Sequence, residues 1–98
     1  MTERVMIATM KAHPGKGAEL RDAFGGMYEQ VANEPGTLQY TLVEGDDADT
    51  FYFIERYADQ AAMDAHMASP ALAALYPVIG PLLADGGMVT GSVVRAMD

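Results

Sequence analysis

Apolar residues recur along this chain with two different periods, and the switches between them mark its elements. From Arg4 to Lys11 the run is rich in Val, Ile, Thr and Met and is closed by His13-Pro14-Gly15, which predicts a first strand. From about Gly17 to Asn33 the spacing changes. Leu20, Phe24, Met27, Tyr28 and Val31 fall at steps of three and four and share one helical face, with Arg21, Asp22, Glu29 and Gln30 across from them. Gly25-Gly26 weakens the middle of this helix by about 1 kcal/mol per glycine relative to alanine, for which close backbone packing is the expected compensation. Pro35-Gly36 then stops it, because the residue before proline avoids the helical region and glycine takes the φ a tight exit needs.

Two β-rich runs follow, Leu38 to Glu44 and Thr50 to Tyr57, joined by an acidic loop in the manner of a hairpin. Asp59 is a good N-cap for a helix running to about Ser69, where Pro70 either ends it or opens a further turn. Leu72, Leu75, Tyr76, Ile79, Leu82 and Leu83 continue the helical spacing, interrupted by Pro77 and Pro81. Asp85-Gly86-Gly87 reads as the last turn, and Met88 to Met97 as a final strand. The order strand, helix, strand, strand, helix, strand is the ferredoxin-like βαββαβ pattern of an α+β fold, with residues 1–98 expected to form a single domain. The strands are apolar on both faces: Val5 and Ile7 alternate with Met6, Ala8 and Met10, and Phe51 and Phe53 with Tyr52 and Ile54. Two helical layers cover one face. The other calls for a second cover, most simply a second copy in a two-fold homodimer packed sheet to sheet. A ligand pocket is then expected between sheet and helices or between the two sheets.

Charge and composition narrow the chemistry. Six Lys and Arg against fourteen Asp and Glu give a formal net charge of −8, which repels phosphate backbones and anionic lipid and argues against nucleic acid as a partner. Without cysteine there is no disulfide and no thiolate nucleophile, and His13 and His66 alone make a weak case for a metal site. Gly45-Asp46-Asp47-Ala48-Asp49 lacks the length and closing Glu of a calcium loop and reads as a solvated hairpin loop. Pro14-Gly15-Lys16-Gly17 lacks the Ser or Thr that would close a phosphate loop. Neither an export signal nor a membrane span is expected, and the expected location is cytoplasmic. His66 is left as the main candidate for proton chemistry near neutral pH.

Several short motifs, in order, carry a resemblance. Asn33-Glu34-Pro35-Gly36 followed by Tyr40, then Phe53-Ile54-Glu55-Arg56-Tyr57, Asp64-Ala65-His66 and Ser69-Pro70 resemble the antibiotic biosynthesis monooxygenase domain, a group that includes quinol monooxygenases and anthrone oxygenases. The resemblance implies a dimeric α+β barrel that oxygenates a quinol or polycyclic phenol with dioxygen and needs no cofactor. It sets His66 as the base, with Glu55 and Tyr57 beside it as catalytic residues. Asn33, Tyr40, Phe53 and Tyr76 are the substrate-contacting candidates.

Each candidate also has a plainer reading from the residues themselves. His66 can serve as a hydrogen-bonding core residue, although Ala62 and Ser69, small and on its helical face, leave room for a ligand beside it. Asn33 suits a helix end that satisfies backbone carbonyls. Glu55 alternates onto the face of Phe51, Phe53 and Tyr57, where a carboxylate is paired, for instance with Arg95, or protonated, or faces a pocket. Tyr40 is a donor or a wall. Haem degradation, known elsewhere on this barrel, is disfavoured: there is no Trp, and Tyr76 stands where the haem-binding His would be expected. The alternative to an oxygenase is a dimeric barrel that binds a small aromatic ligand without turning it over. A third reading is a structural homodimer whose cavity is closed by side chains.

Overall fold

The computed structural model describes residues 2–97. Strand β1 (Arg4–Ala12) is followed by helices α1 (Gly17–Ala23) and α2 (Met27–Ala32), strands β2 (Thr37–Glu44) and β3 (Thr50–Tyr57), helices α3 (Gln60–Met67) and α4 (Pro70–Ile79), a 3-10 turn Gly80–Leu82 and strand β4 (Leu83–Ser92). The strands form one antiparallel sheet in the order β2-β3-β1-β4, which is the ferredoxin-like arrangement expected. Among the described residues no helix is long and apolar enough to cross a membrane.

Alternation along the strands sorts the sheet into two faces. Met6, Met10 and Ala12 of β1 and Phe51, Phe53, Glu55 and Tyr57 of β3 are buried beneath the helices. Leu20, Phe24 and Met27 from α1, the following turn and α2, and Leu72, Leu75 and Ile79 from α4, pack onto Met10, Ala12, Phe51 and Phe53, while Met6 and Tyr57 pack with Met63 of α3. Each such side chain, fully buried, contributes about 1.5–3 kcal/mol. On the opposite face Ile7 lies across from both Ile54 and Val89 in register, and all three are exposed.

Four expectations are corrected. The first long helix divides at Phe24-Gly25-Gly26, where Phe24 N–H bonds Arg21 O and Gly25 N–H bonds Asp22 O, so a tighter turn replaces the α-helical ladder. Two adjacent glycines give the regular helix too little support there, yet Leu20, Phe24 and Met27 keep one buried face. Pro77, instead of breaking α4, lies inside it. The cost of an interior proline, about 3 kcal/mol, is offset by the three apolar anchors of that helix. Asp85-Gly86-Gly87 is strand and not turn, paired with Lys11, Met10 and Thr9, and β4 ends at Ser92 rather than Met97. A Cβ at Gly86 would lie 3.3 Å from the Thr9 carbonyl oxygen and one at Gly87 3.3 Å from its hydroxyl, so a side chain at either position would need Thr9 to yield by a few tenths of an ångström.

Candidate active site

His66 reaches its place through a short chain of local causes. Asp59 caps α3 by accepting the Ala62 N–H at 2.8 Å, worth about 1 kcal/mol, and so fixes the start of the helix that carries the imidazole. The helix end is fixed too: Ser69 N–H bonds the His66 carbonyl, and Ser69 Oγ caps α4 through Leu72 N–H at 3.2 Å. Ser69 therefore serves as a cap. Ala62 meets Gly36 so closely that a Cβ on Gly36 would sit 2.4 Å from its methyl carbon. Only glycine lets the segment entering β2 approach α3 at this distance. That approach brings Glu34 to the imidazole.

The imidazole, 2 % exposed, lies between two carboxylates. Its Nδ1 is 2.8 Å from Glu34 Oε1, and its Nε2 is 3.6 Å from Glu55 Oε1. Glu34 also accepts from Thr37 Oγ1 at 2.7 Å and from Gln30 Nε2 at 2.8 Å. Burial pushes its carboxyl up, but the donors Gln30, His66 and Thr37 and the charge of His66 together hold it below the usual range. Glu55 differs. Burial pushes its carboxyl above the usual range, the nearby Glu34 adds to this, and the Tyr57 hydrogen bond and His66 offset it only in part. The Tyr57 hydroxyl donates to Glu55 Oε1 from a fully buried position.

Beside the imidazole opens a cavity of about 130 Å³. Phe24, Tyr40, Phe53 and Tyr76 give it aromatic walls, and Met6, Met10, Met67 and Met88 supply adaptable apolar surface. Its ionisable side chains besides the tyrosines are Glu55 and His66. Tyr40 and Phe53 pack with ring centroids 4.4 Å apart, and Tyr40 lies 5.5 Å from the His66 ring. Burial, then the neighbouring Glu55, push the Tyr40 phenol well above its ordinary range, so it stays protonated and able to donate. Tyr76 and Met88, 49 % and 55 % exposed, stand at the rim.

Five of the seven candidate residues thus meet around one space: His66, Glu55, Tyr40, Phe53 and Tyr76. Tyr57 does not border it and stands behind Glu55 as its hydrogen-bond donor. Asn33 is not brought to the cavity either; exposed at the end of α2, it donates its amide to the Glu29 carbonyl at 3.0 Å, the helix-end role. Arg95 is no partner of Glu55, because β4 stops short of it and it lies exposed in the tail. Sequence reasoning gave Glu34 no role. It stands 32 positions from His66, and only its place in the Asn-Glu-Pro-Gly stop marked it.

Known proteins place this arrangement. A Caulobacter crescentus structure provisionally named an antibiotic biosynthesis monooxygenase superposes with a TM-score of 0.89 at 28% identity, over 96% of this chain and 92% of that one. A Pseudomonas aeruginosa protein superposes with a TM-score of 0.87 at 26% identity, over 97% of each chain. A Shewanella oneidensis protein does so with a TM-score of 0.88 at 26% identity, over 94% of this chain and 91% of that one. No curated protein matches the chain. The family model described as antibiotic biosynthesis monooxygenase matches residues 4–77, a span that contains both carboxylates, His66 and every aromatic wall of the cavity, and the chain belongs to that family.

Proposed function

We propose that this protein is a cofactor-independent monooxygenase that oxygenates a quinol or polycyclic phenol with dioxygen, using His66 as general base. The observation that carries this reading is a buried imidazole that borders an apolar, aromatic-walled cavity, with its Nε2 toward the cavity residue Glu55. His66 takes the phenolic proton, and the electron-rich anion passes one electron to dioxygen. The radical pair combines at a ring carbon, and the peroxide collapses so that one oxygen atom stays on the ring and the other leaves as water. The protein's share is to remove the proton, hold the anion and exclude water. Tyr40, kept protonated, donates to the developing anion, and Phe53 and Tyr76 stack on the ring system.

Size supports an extended ligand entered by one end. A closed apolar space of roughly 150 Å³ takes a benzene-sized ring. The cavity is of this order, so one ring sits beside His66 and the rest of the molecule passes between Tyr76 and Met88 at the rim. The exposed apolar trio Ile7, Ile54 and Val89 supports a homodimer packed through the open sheet face. The test is oxygen uptake on adding menadiol or an anthrone, with metal and flavin absent. His66→Ala is expected to lower turnover by a factor of about 100 or more, the usual worth of a general base. Unchanged turnover removes the base role, and saturable binding without oxygen uptake selects the ligand-binding alternative.

A further inference from the structure

His66 borders two separate spaces. One is the apolar cavity, and the other is an open groove whose wall includes Gln30, Glu34, Thr37 and Ala65. It is the one described residue common to both walls. Its two ring nitrogens are divided between them: Nδ1 meets Glu34 on the groove side at 2.8 Å, and Nε2 faces Glu55, a cavity residue, at 3.6 Å. The second distance is too long for a hydrogen bond.

Counting donors fixes the hydrogen. Glu34 Oε1 already accepts the Thr37 hydroxyl, and Oε2 accepts the Gln30 amide. A carboxylate ringed by donors is ionised and has no hydrogen to give, so the short contact with His66 is made by an N–H on Nδ1. In the neutral ring the Nε2 lone pair is then left on the Glu55 side. The titratable groups facing the ring are Glu34 from the segment before β2, Tyr40 from β2, and Glu55 and Tyr57 from β3.

We propose that Glu34 is the positioning residue of this site: it holds the Nδ1 hydrogen of His66, thereby aims the Nε2 lone pair into the cavity, and offsets the imidazolium once a proton has been taken up. Glu34 itself does not line the cavity. The inference rests on the base role given to His66 above, but its first test does not need the reaction. Imidazole nitrogen-15 spectra are recorded in a His13→Gln background, where His66 is the sole histidine. The neutral wild-type ring is expected to carry its hydrogen on Nδ1 and a bare Nε2. Glu34→Ala is expected to lose this tautomer to the Nε2–H form or a mixture. A wild-type ring protonated on Nε2, or a tautomer that Glu34→Ala leaves unchanged, overturns the proposal. The wild-type spectrum decides even where the alanine variant does not fold.

Kinetics supplies the second readout. Glu34→Gln is expected to lower kcat about tenfold or more with KM within about twofold, Glu34→Ala to lower it about 100-fold, and Glu34→Asp to recover part of the loss, by analogy with carboxylates that orient catalytic or metal-bound imidazoles. An equal fall in kcat/KM through KM alone contradicts positioning. The two readings separate cleanly. An Nδ1–H ring in a protein that consumes no oxygen refutes the oxygenase and leaves Glu34 in place, and oxygen uptake with an Nε2–H ring refutes Glu34 alone.

Discussion

Glu34 and Glu55 flank one imidazole, and their surroundings push them in opposite directions. Glu34, with a side chain 14% exposed, sits at the groove among the donors Thr37, Gln30 and His66. Its carboxyl lies below the usual range. Glu55, 7% exposed, faces an apolar cavity with the Tyr57 hydroxyl as its hydrogen-bond donor, and its carboxyl lies above that range. Glu55 lies deeper and has one hydroxyl donor, whereas Glu34 has three donors. Depth and donor number together push the pair apart. A histidine between a carboxylate held below the usual range and one pushed above it has two unlike sides, the Glu34 side suited to holding its hydrogen.

The contrast breaks most readily at Tyr57. Tyr57→Phe removes the hydroxyl that serves Glu55 and is expected to cost about 1–3 kcal/mol in urea unfolding, with Glu55 driven further toward its protonated form. A loss below a few tenths of a kcal/mol at neutral pH would mean that the hydroxyl contributes little to holding Glu55.

Acid titration sharpens the comparison because the two carboxylates have opposite signs. Glu34, lowered in the folded protein, contributes stability that is complete above its ordinary value of 4.5 and is lost as pH falls through its folded value. Glu55, raised, contributes stability that is complete below 4.5 and is lost as pH rises through its folded value. Unfolding followed from about pH 3 to about pH 7 at fixed protein concentration should therefore show the deficit of Glu34→Gln growing with pH and that of Glu55→Gln shrinking. Parallel trends would erase the distinction. The smallest effect is expected at Thr37→Val, about 0.5–1.5 kcal/mol, because Glu34 keeps Gln30 and His66 when this donor is lost. A cost larger than that of Tyr57→Phe would reverse the ranking.

Much of the fold was legible because its signals are local. The alternation of Phe51, Phe53, Glu55 and Tyr57 places them on one face, and β3 buries all four beneath the helices. Asp59 announces a helix start and caps it as its chemistry suggests, whereas Ser69, read as the end of that helix, caps the next one, which Pro70 opens. Asp85-Gly86-Gly87 misled for the same reason. Its turn chemistry is real locally, but β1 offers a full ladder of partners and close contact at Thr9, which favours glycine in an extended strand. Of the site, the resemblance named His66, Glu55, Tyr40, Phe53 and Tyr76, which converge. It also named Asn33, whose amide is occupied at the end of α2, and missed its neighbour Glu34.

The sequence by itself determined the strand and helix order, the alternation of side chains along β1 and β3, the Asp59 cap and the small set of side chains capable of proton chemistry. Those depend on periodicity, φ preference and residue type, all readable within a few positions. Tertiary structure alone decided that the Gly36–Ala62 contact brings Glu34 against the far side of His66, while β3 sets Glu55 on the near side and Tyr57 behind it. A carboxylate's charge depends on how deeply it lies and on how many donors reach it. Here those donors come from helices and strands, and only packing counts them.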